Sequence, residues 1–142
     1  MLILPIRACT FSRARGPEAP LYELFFVVLV HLARSTRLVE GRDVIIDSAP
    51  ILAWRRTDPD AAVGHAPHHH ARPLLRGYRV HTLLCRGSGL PLLFLLSSAN
   101  AHDAPFARPL LEWGLRLYGL RPLIVRLDAG YWGLRLIIGA YA

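Results

Sequence analysis

The chain has 142 residues, which is enough for one domain and makes a second one unexpected, and 53% of them are hydrophobic, which suffices to fill a core. Its formal net charge of +7 rests on 17 arginines and no lysine. Guanidinium groups suit phosphate contact, so nucleic acid is the natural partner, although a GC-rich coding sequence explains the same arginine usage equally well.

The N-terminal part of the chain predicts a leader followed by a helix. Residues 7–20 mix arginine, glycine and proline without a hydrophobic period, and residues 1–20 are expected to form a flexible leader. From residue 21 to about 35 apolar residues recur at helical spacing, and Pro20 suits a first helical turn, so we expect a buried helix. The β-branched pair Val27 and Val28 leaves a strand as the weaker alternative.

A first strand and an irregular stretch should follow this helix. After Gly41, the apolar run 44–46 predicts a strand that Asp47 closes. From about residue 51 to 76 the chain carries aspartates, prolines and four histidines without a sustained period. This composition predicts an irregular insert.

The next segments predict a hairpin and a second helix. Residues 78–85 alternate in the way of a strand, and a glycine-bearing turn leads to the apolar run 90–96, which indicates an antiparallel hairpin. Asp103 is expected to cap a helix that ends at Gly119.

The fourth strand should complete a mixed sheet. The run 122–127 predicts a strand that Asp128 closes, and a short helix is expected over 132–142. A right-handed crossover places this strand parallel to the first, beside it, which gives three antiparallel strands, a parallel fourth and flanking helices in an α/β fold. We expect the fourth strand to leave an open edge of the sheet.

Asp47 and Asp128 are the first candidates for a functional site. If their strands are parallel and adjacent, both carboxylates reach the same sheet edge, which is where open α/β sheets place their chemistry. Two such acids could share hard divalent cations such as Mg²⁺. Each acid alone is equally compatible with a turn aspartate that binds backbone amides.

Short motifs around these acids follow one another in a fixed order. They are Val44-Ile-Ile-Asp-Ser-Ala-Pro50, Gly77-Tyr-Arg-Val-His81, Gly89-Leu-Pro-Leu92, Ala99-Asn-Ala-His-Asp103 and Asp128-Ala-Gly-Tyr131. In this order the segment 21–142 resembles the DDE insertion-sequence transposases. The resemblance implies a partial ribonuclease-H-like catalytic domain that acts on DNA ends.

The resemblance also implies roles for individual residues. Asp47 and Asp128 match the family's first and second catalytic acids, which would bind two Mg²⁺ or Mn²⁺ ions while water and then a DNA 3′ hydroxyl attacks a phosphodiester. The family's third acid, a glutamate on a later helix, has no counterpart, because no acidic residue follows Asp128 and Glu112 precedes the fourth strand. We therefore interpret the chain as a C-terminally truncated transposase with impaired or absent cleavage.

Basic residues and histidines suggest further contacts. Five arginines in and after the insert are expected to contact the DNA backbone: Arg55, Arg56, Arg72, Arg76 and Arg79. The histidines His65, His68, His69 and His70 could bind a transition metal, but no cysteine or acid is spaced to complete a site, so a solvated loop is expected.

Three functions stay open at this point. The first is a transposase catalytic-domain fragment that acts on transposon ends and target DNA, as a homo-oligomer or with a full-length transposase. The second is a non-catalytic DNA-binding protein that poisons a full-length relative, and the third is a histidine-rich metal-binding protein. No apolar run is long enough for a membrane segment, and Cys9 and Cys85 form no disulfide framework, so we expect a cytoplasmic, nucleoid-associated protein.

Overall fold

The computed structural model describes residues 19–65 and 74–131. Within them the chain forms, in order, α1 (Ala19–Ser35), β1 (Asp43–Leu52), β2 (Ala62–His65), β3 (Leu74–Cys85), β4 (Pro91–Ser98), α2 (Ala104–Tyr118), β5 (Ile124–Leu127) and a 3₁₀ turn (Ala129–Tyr131). Nearly all of the predicted leader over 1–20 and the whole predicted helix over 132–142 lie outside the described residues.

The five strands form one mixed sheet around β3. Strand β1 pairs antiparallel with one edge of β3, while β2 and β4 follow one another along the opposite edge. Strand β5 lies parallel to β1 on its other side. The predicted hairpin and the predicted α/β ribonuclease-H-like sheet, with three antiparallel strands and a parallel fourth, are confirmed.

The core lies between one face of this sheet and α2. Its side chains with almost no solvent exposure include Val44, Ile46, Leu83, Leu92 and Leu110. Full burial of one such side chain stabilises the fold by about 1.5–3 kcal/mol relative to exposure. Helix α2 ends where the sequence predicts, because Gly119 adopts the left-handed conformation with φ of 62°. The packed core thus fixes the relative positions of β1, β3 and β5.

Helix α1 is confirmed, but its expected burial is wrong for one of its sides. The less exposed side packs against the core, and the ring of its Phe26 meets the partly exposed Phe94 edge to face with centroids 5.4 Å apart. The other side is exposed and carries Leu24, Phe25, Val28, Leu29 and Leu32. A straight helix presents only one side to its neighbours, so this wide apolar stripe is covered only in part. No helix in the described ranges is long and apolar enough to cross a membrane.

The segment from 51 to 76 is more regular than expected, which corrects the predicted insert. Strand β1 reaches Leu52, β2 lies within the segment, and β3 already begins at Leu74. Two glycines permit this tight pairing: a β-carbon on Gly64 would lie 1.9 Å from the carbonyl oxygen of Ala99, and one on Gly77 would lie 2.0 Å from that of Ile51. Residues 66–73 lie outside the described residues.

Candidate functional site

The structure brings Asp47 and Asp128 to the same edge of the sheet. The last aligned pair of the parallel strands β1 and β5 is Ile46 with Leu127, and the two acids are the next residue along each strand. Both acids are exposed. Asp47 does not close its strand as expected, because β1 continues beyond it to Leu52 by pairing with β3. The acids therefore mark the end of the parallel pairing.

Backbone amides orient both carboxylates. The Ser48 amide donates a hydrogen bond of 2.8 Å to Oδ1 of Asp47, and the Gly130 amide donates one of 2.7 Å to Oδ1 of Asp128. Each is the local bond expected of a turn aspartate, and it leaves Oδ2 as a hard oxygen donor. Among residues 19–65 and 74–131, no group of three or more histidines, cysteines or acids could hold a metal ion. The edge thus offers two carboxylates.

Tyr131 packs beside these acids at the end of the 3₁₀ turn. Its side chain is buried, and burial is the main reason why its pKa lies above the ordinary value. The negative charges of Asp103, Asp128 and, more weakly, Asp47 raise the pKa further, whereas a hydrogen bond from Ser48 lowers it. All three carboxylates therefore lie within electrostatic reach of one tyrosine hydroxyl.

A cluster of buried polar side chains lies next to Tyr131. Asp103 is 8% exposed, and Nη1 of Arg79 donates to its two oxygens at 3.0 and 2.8 Å. His81 is fully buried, with its ring stacked on Phe106 at a centroid distance of 4.0 Å. Its Nε2 lies 2.9 Å from the hydroxyl of Ser97. We call these five residues the buried cluster: Arg79, His81, Ser97, Asp103 and Tyr131.

The buried cluster holds a neutral histidine beside a charged pair. Burial lowers the pKa of His81 to about 4, although the nearby carboxylate of Asp103 acts in the opposite direction. Asp103 precedes α2 as predicted, but it makes no side-chain cap hydrogen bond. The expected capping role is therefore wrong, because its carboxylate turns to Arg79.

Sequence reasoning missed the buried cluster as a unit. The core-facing side chains change from apolar to polar at one level of the sheet, from Ile46 to Ser48 on β1 and from Leu83 to His81 on β3. Strand β4 changes in the same way, from Leu95 to Ser97. On each strand, a polar residue stands at a position where the alternation would place an apolar one. This was the signal by which the sequence could have revealed the cluster.

The predicted DNA-binding arginines occupy different environments. Arg55 and Arg56 are exposed beyond the end of β1. Arg76 is exposed on β3 and donates to the carbonyl oxygen of Asp58 at 2.8 Å. The side chain of Arg79 is only 17% exposed and belongs to the buried cluster. Arg72 lies outside the described residues.

Other candidate residues lie away from this edge or cannot be placed. Glu112 is partly exposed on α2 and forms an ion pair of 2.7 Å with Arg108. His65 is exposed at the end of β2, whereas His68, His69 and His70 lie outside the described residues. The structure thus gives no support for a histidine site in the part that it describes.

Comparison with known families agrees with this geometry. The family model described as transposase DDE domain matches residues 39–140, which is most of the chain and includes β1, β5 and both edge acids. The chain therefore belongs to the transposase DDE domain family. No curated protein and no solved structure gives a significant match.

Proposed function

We propose that the chain serves DNA transposition as a transposase catalytic-domain fragment in which Asp47 and Asp128 bind metal. One observation carries the proposal: both acids lie directly beyond the parallel pairing of β1 and β5 in a chain of the transposase DDE domain family. In open α/β sheets this edge is the usual location of a reactive site.

The donor chemistry of the two acids fits Mg²⁺ or Mn²⁺. Both are exposed carboxylates with one oxygen held by a backbone amide, and hard divalent cations prefer such oxygen ligands. When two such ions are bound, they would stabilise the attacking and leaving oxygens of a phosphodiester. The chain's own contribution is to hold the carboxylates in fixed directions through the amides of Ser48 and Gly130.

Exposed arginines supply the contact with DNA in this proposal. Arg55 and Arg56 are exposed and follow the end of β1, the strand that carries Asp47. Arg76 would extend this basic path along the phosphates, and Arg72, which lies outside the described residues, stays a predicted contact. Arg79 differs from them because its guanidinium already pairs with Asp103 inside the fold. Because DNA is the substrate in this proposal, we expect the chain to act at the nucleoid.

We propose that these 142 residues bind DNA without cutting it. No acidic residue follows Asp128, and Glu112, the nearest acid before β5 on α2, pairs with Arg108 at the surface. Two carboxylates alone leave the coordination of catalytic ions incomplete, so the attacking group would be poorly positioned.

The same observation favours a second function, that of a regulator. A chain that binds transposon ends, or joins a full-length transposase, without supplying a third acid would block productive cleavage. The regulator and the catalytic-domain fragment share the same DNA-binding surface, but only the regulator would lower cleavage by a full-length transposase.

Cleavage assays with and without a full-length transposase separate these functions. The purified chain is incubated with duplexes that carry the DNA flanking its coding sequence, with Mg²⁺ or Mn²⁺. We expect binding without cleavage, and we expect cleavage by a full-length relative to fall when this chain is added. Robust cleavage that Asp47→Ala abolishes would overturn the proposed inactivity, and a lack of DNA binding at low salt would contradict both functions.

A further inference from the structure

The buried cluster beneath the 3₁₀ turn calls for a physical reason. Asp103 and Arg79 are charged and largely buried, and His81 is completely buried. Burying charges is costly unless each one is paired and hydrogen-bonded, so an apolar core would be the simpler solution here. Since the carboxylate of Asp103 makes no capping bond to α2, helix formation does not account for it.

Asp103 is held from several directions. Nη1 of Arg79 donates to both of its oxygens, and Nη2 of the same guanidinium donates to the carbonyl oxygen of His65 at 3.0 Å, which ties the pair to β2. Nδ1 of His81 lies 3.5 Å from Oδ1 of Asp103. The ring of His81 is in turn fixed by Ser97 and Phe106. The carboxylate therefore has a defined position relative to three strands and α2.

The turn that carries Asp128 rests against this fixed carboxylate. A β-carbon on Gly130 would lie 2.9 Å from Oδ2 of Asp103 and 3.0 Å from Oδ1 of Asp128, so the turn passes closely between the two carboxylates. Its amides bond back to Asp128, from Gly130 to Oδ1 and from Tyr131 to the carbonyl oxygen. The Tyr131 hydroxyl lies 3.4 Å from Nδ1 of His81. Both the middle and the end of the turn thus contact the cluster.

We infer that Asp103 is a positioning residue for Asp128, acting through the turn over residues 129–131. This inference rests on the proposed role of Asp128 as a metal-binding acid. Arg79 fixes the carboxylate of Asp103, which restricts the path of Gly130, while His81 anchors the hydroxyl of Tyr131. Together these contacts hold the amide of Gly130 against Oδ1 of Asp128. They direct the other oxygen of the Asp128 carboxylate toward the sheet edge that also carries Asp47.

Two measurements on the whole chain test this inference. Amide hydrogen exchange of Gly130 and Tyr131, followed by NMR, reports on the turn without any metal, and titration with Mn²⁺ reports on the acids. In Asp103→Asn we expect faster exchange of these two amides with unchanged exchange in β1 and β3. We also expect Mn²⁺ affinity to fall by about tenfold, as is typical when a partner that orients a ligand is lost.

Glu112→Gln is the matched control, since it removes a carboxylate from an arginine pair at the surface of α2 and not from the buried cluster. It should change neither measurement. Tyr131→Phe should change both in the same direction as Asp103→Asn, which excludes the loss of a negative charge as the sole cause. If Asp103→Asn fails to fold, Tyr131→Phe still shows whether the buried cluster holds the turn.

The outcomes separate this inference from the proposed function. Unchanged turn exchange in a folded Asp103→Asn variant would overturn the inference, as would a general loosening of the whole sheet, which is the mark of a merely stabilising residue. If the wild-type chain binds no Mn²⁺ through Asp47 and Asp128, the proposed function fails, while the exchange measurement still shows whether Asp103 holds the turn.

Discussion

Asp47 and Asp128 are far apart in the chain, yet each is the first residue beyond the last aligned pair of β1 and β5. Strand β5 ends there, whereas β1 continues along β3 to Leu52. Within the described residues no strand covers the side of β1 beyond Ile46 that faces away from β3. The two acids therefore border an open stretch of backbone where a ligand has access.

The burial of His81 predicts how stability depends on pH. Its pKa is lowered from 6.5 to about 4 in the folded chain, so between these values the unfolded state binds the additional proton. The free energy of unfolding should therefore decrease as the pH falls from 6.5 to 4, by up to about 3 kcal/mol. Urea unfolding at a series of pH values measures this dependence.

His81→Gln removes the titrating group and should flatten the profile in that window, whatever its effect on stability at neutral pH. The same substitution at the exposed His102 is the matched control and should keep the wild-type profile. Equal slopes for wild type and His81→Gln would show that His81 does not titrate in the proposed way.

Close strand packing predicts the effect of adding a methyl group at Gly64. A β-carbon there would lie 1.9 Å from a backbone oxygen of Ala99, so the strands must shift. We expect Gly64→Ala to lower the free energy of unfolding by about 1–3 kcal/mol. Gly87→Ala is the control, because no atom lies within 4 Å of the new β-carbon, and it should stay within about 0.5 kcal/mol of wild type. Similar denaturation midpoints for both variants would contradict the observed strand contact.

The different environments of the arginines predict different effects on DNA affinity. Arg55→Ala and Arg56→Ala should each weaken binding to duplex DNA and reduce the salt dependence of the affinity, because each removes one phosphate contact. Fluorescence anisotropy at several salt concentrations measures both quantities. Arg108→Ala, which removes an exposed arginine from α2, is the control and should retain the wild-type salt dependence. The proposed DNA path is wrong if all three variants bind alike.

Much of the architecture follows from local patterns in the sequence. The helical spacing in α1, the hairpin of β3 and β4, the αL glycine after α2 and the apolar run of β5 each specify an element through nearby residues. The crossover rule then places β5 beside β1, as observed. These features depend on short-range periodicity and chain handedness, which a sequence displays directly.

The missed features depend on contacts between distant segments. Strand β1 was expected to end at Asp47, but it continues to Leu52 through Pro50. Beyond Ile46 this strand pairs only with β3, and proline is tolerated at such an edge. The alternation in β3 shows two faces without showing which one is buried. Helix α2 covers the face of β3 that carries His81. Only this tertiary packing brings Asp103, Arg79 and Tyr131 together in one cluster.

Binding of Mn²⁺ to the whole chain tests most directly whether Asp47 and Asp128 form one cation site. Isothermal titration of the wild type should show binding, and Asp47→Asn and Asp128→Asn should each weaken it by more than about tenfold, because both carboxylates are ligands of the same site. Asp60→Asn removes a carboxylate from the 53–61 segment and should leave the affinity unchanged. Undiminished affinity in either edge variant, or an absence of binding by the wild type, would contradict the shared site.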